Sequence, residues 1–333
     1  MSAFLSDLGR SFFGDVDPAV DGGYEAPPPR KGFFTDTSVC IGCKACEVAC
    51  KEWNLIPEDG LELTGNSYDN TGSLGSSTWR HVAFIEQEVP AHLAAASPAP
   101  DPGAGAGLGA GVEAPPPVDL GLPTSTPPGE TSDAGEATDF RWLMESDVCK
   151  HCTHAACLDV CPTGALAHTE FGTVVVQNDI CNGCGYCVSA CPYGVIERRP
   201  GPAGDPAVGI AQKCTLCYDR LTEGMTPACA KACPTDSIQF GDLDELRERA
   251  VGRLDQLVEA GEPRAQLYGH DARNGVGGTG AFFLLLDDPE VYGLPPDPVV
   301  TTRHAPAMWR QAALAAATLL GGAVVAFAAG GRS

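Results

Sequence analysis

The sequence predicts an α+β fold of two nested cysteine-rich units followed by one membrane-length helix. Three observations lead there. All 16 cysteines of the 333-residue chain fall into four tight groups of four. Short β-branched and aromatic runs are interleaved with one clear amphipathic helical pattern. An apolar stretch, placed at residues 308–331, closes the chain at the length a bilayer requires.

In chain order, residues 1–32 are predicted to be an N-terminal extension. They lack the charged start, apolar run and small-residue cleavage site of a signal peptide. "EAPPPRKG" reads as a linker into the first cysteine group, and "STWRHVAFIEQEV" has strand character. Residues 90–139 are Ala, Pro and Gly with scattered acids and no Lys or Arg. Such a segment cannot bury enough apolar surface to offset its ordering entropy, so it is predicted to be a disordered insertion. "FGTVVVQNDI" reads as a strand between the second and third cysteine groups, and 197–212 as a Pro/Gly loop. From 242 to 260, Leu243, Leu246, Ala250, Leu254 and Leu257 share one helical face, with Asp242 as N-cap and Gly261 as stop. "GAFFLLLDD" is a buried-strand candidate. The preceding "GVGGTG" lacks the Gly-Lys-Ser/Thr ending of a phosphate loop and reads as a flexible turn. Finally, no charge lies between Arg310 and Arg332, and Trp309 sits where an interface aromatic belongs. A buried or tail helix of a soluble protein is the competing reading. Arg303, Arg310 and Arg332 are too evenly divided to orient a span.

The cysteines carry the chemistry. The groups are Cys40, Cys43, Cys46, Cys50; Cys149, Cys152, Cys157, Cys161; Cys181, Cys184, Cys187, Cys191; and Cys214, Cys217, Cys229, Cys233. Disulfide frameworks scatter their cysteines to staple distant loops, which these quartets do not. Structural zinc uses CxxC pairs separated by a loop, a pattern that only the fourth group approaches. The first and third groups read CxxCxxCxxxC, the run that binds [4Fe–4S] clusters in bacterial ferredoxins, where the fourth cysteine ligates the other cluster. Sixteen ligands therefore predict four cubes with ligands exchanged between paired groups. The second and third groups, adjacent in sequence, form an inner ferredoxin-like unit (140–196). The first and fourth pair across the chain as an outer unit (33–89 and 197–300). Pro162, Pro192 and Pro234 follow the last cysteine in three groups, whereas Lys51 follows Cys50. His151 and His154 are assigned packing roles, because four cysteines already serve their group. The net charge of -22 excludes nucleic acid as a partner. Lys44, Lys51, Lys150, Lys213 and Lys231 lie in or beside cysteine groups and are candidates for tuning cluster potentials.

Four segments carry a family resemblance: "TDTSVCIGCKACEVACKEWN", "SDVCKHCTHAACLDVCPTGAL", "TEFGTVVVQNDICNGCGYCVSACPYGVIERR" and "AQKCTLCYDRLTEGMTPACAKACPTDSIQFG". They closely resemble the iron–sulfur subunit of membrane-linked formate dehydrogenases, as do "LLLDDPEVYGLPPDP" and the C-terminal apolar helix. The quartet spacing is shared by four-cluster subunits across the molybdopterin oxidoreductase family, and the wording between the cysteines favours formate dehydrogenase. The resemblance spans about residues 33–88 and 140–330, with the 90–139 insertion as a departure. It implies no catalytic site on this chain. It implies electron relay from a molybdenum or tungsten pterin catalytic subunit, which oxidises formate, to a cytochrome b subunit and quinone. It also implies a peripheral domain anchored by one helix, with the outer face of the cell membrane favoured. Carried over residue by residue, cluster 1 takes Cys40, Cys43, Cys46 and Cys233. Cluster 2 takes Cys214, Cys217, Cys229 and Cys50, and cluster 3 takes Cys149, Cys152, Cys157 and Cys191. Cluster 4 takes Cys181, Cys184, Cys187 and Cys161. Two readings compete: the equivalent subunit of a sulfur-compound, sulfoxide, nitrate or NAD-linked formate enzyme, and a zinc-bound structural module.

Overall fold

Continuous burial of two phenylalanine-rich segments organises the main sheet of the computed structural model, which describes residues 17–59, 68–69, 71–89, 139–202 and 204–330. In chain order the strands are β1 Lys31–Asp36, β2 Arg80–Val89, β3 Asp139–Val148, β4 Leu166–His168 and β5 Val174–Val176. They continue with β6 Glu197–Arg198, β7 Ala211–Gln212, β8 Ile238–Asp242, β9 Gln266–Tyr268 and β10 Ala281–Leu285. The main sheet runs β8-β1-β10-β9. β1 is parallel to β10 (Phe33 opposite Ala281) and antiparallel to β8 (Phe33 opposite Phe240). All five residues of β10 are buried, as expected of a strand covered on both faces.

Alternation decides what each face meets. Phe34, Phe282 and Leu284 pack against Leu243, Leu246, Ala250 and Leu257 of the Leu243–Glu259 helix. Phe33 and Ala281 point the other way, into a core shared with Cys46, Cys149, Cys214 and Cys229. The sheet is thus a partition between an ordinary apolar layer and the cysteine layer. The helix starts and stops as its sequence indicates, with one difference. Asp242 stands at the N-cap position, but its carboxylate makes no cap bond and pairs instead with Lys31. At the other end, Gly261 (φ +100°) donates to the Val258 carbonyl, and Glu262 N–H reaches the Leu257 carbonyl. That is the double-bonded Schellman termination.

Two sequence expectations are refined. Residues 197–212 are not a bare loop, because β6 and β7 pair as a hairpin (Glu197 opposite Gln212). Two-residue strands carry no periodic signal, so composition alone read them as loop. The "GVGGTG" turn is packed rather than free. The Gly278 carbonyl accepts from both the N–H and the hydroxyl of Thr153, and Cys152 bridges Thr279. The strand expectations over 77–89, 171–180 and 280–288 meet β2, β5 and β10. The predicted disordered insertion lies outside the described residues, except Asp139 at the start of β3.

The chain divides into two compact units, residues 1–85 with 143–333 and residues 86–142. In the smaller one, Arg141 Nε donates to Gln87 Oε1 at 2.8 Å. The C-terminal helix spans Ala305–Gly330, and every side chain from Met308 to Phe327 is exposed. Over those 20 residues the mean hydropathy is 1.4, so the helix is long and apolar enough to cross a membrane.

Candidate metal centres

Each cysteine group opens on a CxxC loop, and all four loops bend alike. The residue two places after the first cysteine is left-handed in every case: Gly42 (φ +64°), His151 (+45°), Gly183 (+70°) and Leu216 (+59°). At Gly42 and Gly183 no side chain would fit. A Cβ on Gly183 would lie 2.3 Å from the Gly209 carbonyl oxygen, and one on Gly42 would lie 2.6 Å from the Phe84 ring. For His151 and Leu216 the conformation costs about 1–2 kcal/mol each, so the surrounding structure must enforce it. Backbone alternating in this way turns successive N–H groups inward and makes a concavity suited to anions.

Packing brings cysteines of different groups together, in two places as three from one group with one from another. Cys40, Cys43, Cys46 and Cys233 line one cavity. Cys149, Cys152, Cys157 and Cys191 line another. Cys214, Cys229 and Cys217 surround Cys50 closely enough to raise its thiol, after burial itself. Cys181, Cys184 and Cys161 act likewise on Cys187, whose thiol burial and neighbours push up to about 11. We refer to the sets holding Cys40, Cys50, Cys152 and Cys187 as the first to fourth centres.

The same pressure recurs across the thiols. Burial raises Cys46 to about 11, against the pull of Arg80, and Cys157 to about 12, against Lys213. Burial also lifts Cys152 well above the usual thiol range, and Cys217 to about 11. Cys161 goes the other way. Its slight burial raises it, but the Leu166 and Thr163 N–H groups and the Thr163 hydroxyl hold it below the usual range. None of the 16 cysteines forms a disulfide. Crowded, buried thiols of this kind need positive charge to become thiolates.

The donor set fits a multi-iron cube and not a single ion. A mononuclear site needs every thiolate within about 2.3 Å of one point. Among the described residues, no three His, Cys, Asp or Glu side chains converge so closely.

The candidate tuning lysines divide by environment. Lys44 is paired with Glu47 and Asp69, both at 3.3 Å, and Lys51 with Asp59 at 2.5 Å. Lys231 is exposed. Lys150 is buried against Asp147, with its ammonium 4.7 Å from the Phe283 ring centre and 5.3 Å from that of Tyr193. Lys213 is buried and donates to the carbonyls of Val174 and, at 2.9 Å, Cys214. His151 Nδ1 accepts from the Val174 N–H at 3.0 Å, so that ring is engaged with backbone, and His154 packs on Gly277.

Two residues escape sequence reasoning. Arg30, in the linker, is half-buried and donates to Thr153 Oγ1 (2.7 Å) and the His151 carbonyl (2.8 Å). Arg80 is buried within β2 and donates to Cys229 Sγ at 3.3 Å. Arg80, His81 and Val82 are all buried, so no alternation along the strand marks Arg80 in the sequence. At the surface, Cys43 of the first centre and Cys184 of the fourth are the exposed cysteines, whereas all four cysteines of the second centre are buried.

Comparison with known proteins agrees with this chemistry. The family described as a 4Fe-4S dicluster domain matches residues 140–243, and a 4Fe-4S binding domain matches 37–53. The chain is 35% identical over 269 residues to the formate dehydrogenase iron–sulfur subunit of Haemophilus influenzae, covering 80% of this chain and 68% of that protein. It is 34% identical over 281 residues to the nitrate-inducible formate dehydrogenase iron–sulfur subunit of Escherichia coli K12, covering 83% and 76%. It is also 31% identical over 219 residues to a component of the anaerobic dimethyl sulfoxide reductase of Escherichia coli K12, covering 66% of this chain and 76% of that component.

Proposed function

The protein belongs to the family of formate dehydrogenase iron–sulfur subunits, and from that premise we propose that it relays electrons from a formate-oxidising molybdenum or tungsten subunit, through four [4Fe–4S] clusters, to a membrane cytochrome b subunit and quinone. It acts as a subunit of an oxidoreductase complex, without bond chemistry of its own. In this reading the first centre is held by Cys40, Cys43, Cys46 and Cys233, and the second by Cys214, Cys217, Cys229 and Cys50. The third is held by Cys149, Cys152, Cys157 and Cys191, and the fourth by Cys181, Cys184, Cys187 and Cys161. The first and second centres form the outer ferredoxin-like unit, and the third and fourth form the inner unit nested within it. A bound cluster supplies a carrier for one electron at a time.

The observation that carries the reading is the pair of cavities each lined by three cysteines of one group and one of another. Exposure supports the direction of the line of centres. Cys43 and Cys184 put the first and fourth at the surface, where redox partners can approach, while the second is walled in by protein. Buried Lys213, hydrogen-bonded to carbonyl oxygens, is the lysine placed to favour the reduced, more anionic state of nearby centres, whereas Lys150 is paired with Asp147. The exposed apolar helix Ala305–Gly330 would fix the relay at the membrane, beside the cytochrome. Similarity to the dimethyl sulfoxide reductase component keeps the same relay with a different catalytic partner as the second reading. The substrate oxidised or reduced by the co-purified complex separates the two.

Iron analysis with spectroscopy tests the relay. Four cubes give about sixteen iron atoms per chain, and eight or fewer would overturn the four-cluster reading. In Cys191→Ala, the disturbed signal is expected to be the third centre's, and an unchanged third-centre spectrum refutes the exchanged ligand.

A further inference from the structure

Burying a cation without a partner anion is costly, on the order of several kcal/mol. Arg80 is 1% exposed, and among the described residues no carboxylate forms an ion pair with it. Its partners are sulfur and neutral oxygen. Nη2 donates to Cys229 Sγ at 3.3 Å. Nη1 donates to the Ser146 carbonyl at 3.0 Å and to the Ser146 hydroxyl at 3.3 Å. That hydroxyl lies 3.2 Å from Cys46 Sγ. The guanidinium also lies over the Phe33 ring, 4.9 Å from its centre, so aromatic surface closes the site on that side. Cys46 belongs to the first centre and Cys229 to the second. One planar cation therefore touches a ligand of one centre directly and a ligand of the next through a single hydroxyl.

We propose that Arg80 is a positioning residue set between the first and second centres, raising the reduction potential of both by favouring their reduced, more negative states. The inference rests on the proposed four-cluster relay. Burial alone would lower the Arg80 guanidinium, and the thiols of Cys229, Cys46 and Cys214 more than reverse that. The charge thus faces sulfur of both centres, with the buried Glu145 carboxyl also within its electrostatic reach. Lys44 and Lys51 lie in the same cysteine group but spend their charge on Glu47, Asp69 and Asp59. Loss of a buried charge hydrogen-bonded to a ligand sulfur is an electrostatic change inside the protein, where screening by salt is weak. Each added electron is felt by the guanidinium at close range, so both midpoints respond to the same residue.

The test is a potentiometric titration of the purified complex followed by electron paramagnetic resonance, with iron content measured alongside. In Arg80→Gln the first and second midpoints are expected to fall. At fixed potential their reduced-to-oxidised ratio drops by about tenfold, which is about 59 mV for one electron. The third and fourth midpoints stay in place. Arg80→Lys keeps the charge and is expected to shift both midpoints by less than half as much. Unmoved first and second midpoints in Arg80→Gln overturn the proposal, as does an equal fall in Arg80→Lys. If Arg80→Gln fails to assemble, wild-type protein labelled with guanidino-¹⁵N arginine decides. Pulsed resonance on the reduced second centre is expected to show a ¹⁵N coupling, and its absence overturns the proposal. Iron well below sixteen per wild-type chain would instead sink the four-cluster reading, so the two failures are distinguishable.

Discussion

At the scale of single residues, the centres depend on backbone that ordinary side chains resist. The sequence shows Gly42 and Gly183 in matching places, and glycine there reads plainly as a turn. It does not show that His151 and Leu216 adopt the same left-handed conformation in the other two groups, because neither residue type advertises it. Arg80 was hidden for a related reason: a charged residue in a strand normally marks the wet face, and burial here follows from the sulfur it meets. The glycine requirement can be tested by contrast. Gly183→Ala combines a left-handed backbone, costing about 1–2 kcal/mol, with a Cβ 2.3 Å from the Gly209 carbonyl oxygen. That carbonyl belongs to the backbone and cannot swing aside, so the fourth-centre loop must deform. Gly224→Ala has the same backbone cost at φ +67° but nothing within 4 Å of its Cβ. Gly183→Ala is expected to lose fourth-centre iron and melt earlier, while Gly224→Ala keeps its iron.

At the scale of elements, legibility followed length. The Leu243–Glu259 helix and β10 were readable because each repeats its burial signal several times. The β6–β7 hairpin, with two residues per strand, repeats nothing. Asp242 shows the limit of cap signatures: Lys31, 211 residues away in sequence, takes the carboxylate that local rules assign to the helix. Spacing made each cysteine group visible, but which group lends its fourth cysteine to which centre depends on how the elements pack. The helix layer itself gives a quantitative expectation. Leu246 is buried against Phe34 and Phe282 on the sheet face away from the cysteines. Leu246→Ala should therefore cost about 2–5 kcal/mol by cavity formation, while Val251→Ala, on the exposed side of the same helix, should stay within about 0.5 kcal/mol. Denaturant unfolding of the two variants checks this. Because the sheet separates the layers, cluster spectra of folded Leu246→Ala are expected to match the wild type.

At the scale of the whole molecule, the open question is what covers the C-terminal helix. Its 26 residues rise about 39 Å at 1.5 Å each, and the 20-residue window Met308–Phe327 matches a hydrocarbon core of about 30 Å. Leu314, Leu319, Leu320, Val324, Val325 and Phe327 are all exposed. A row of large apolar side chains over that length has no counterpart on an ordinary aqueous surface. The sequence made this segment visible through its freedom from charge, yet left open a buried helix of a soluble protein. The structure removes the buried alternative within this chain, since none of the window is covered by protein. A bilayer and a water-exposed tail then predict different outcomes for one substitution. In Leu320→Arg, a charge near the middle of a spanning helix costs about 2.5–3.5 kcal/mol of insertion free energy, which shifts partitioning roughly a hundredfold. On a solvated tail the same change stays within about 0.5 kcal/mol. The spanning reading expects Leu320→Arg chains to leave the carbonate-washed membrane fraction with their iron intact, because Met308–Phe327 is not buried against the rest of the chain. Undiminished recovery in washed membranes would show that something other than this helix holds the relay to the bilayer.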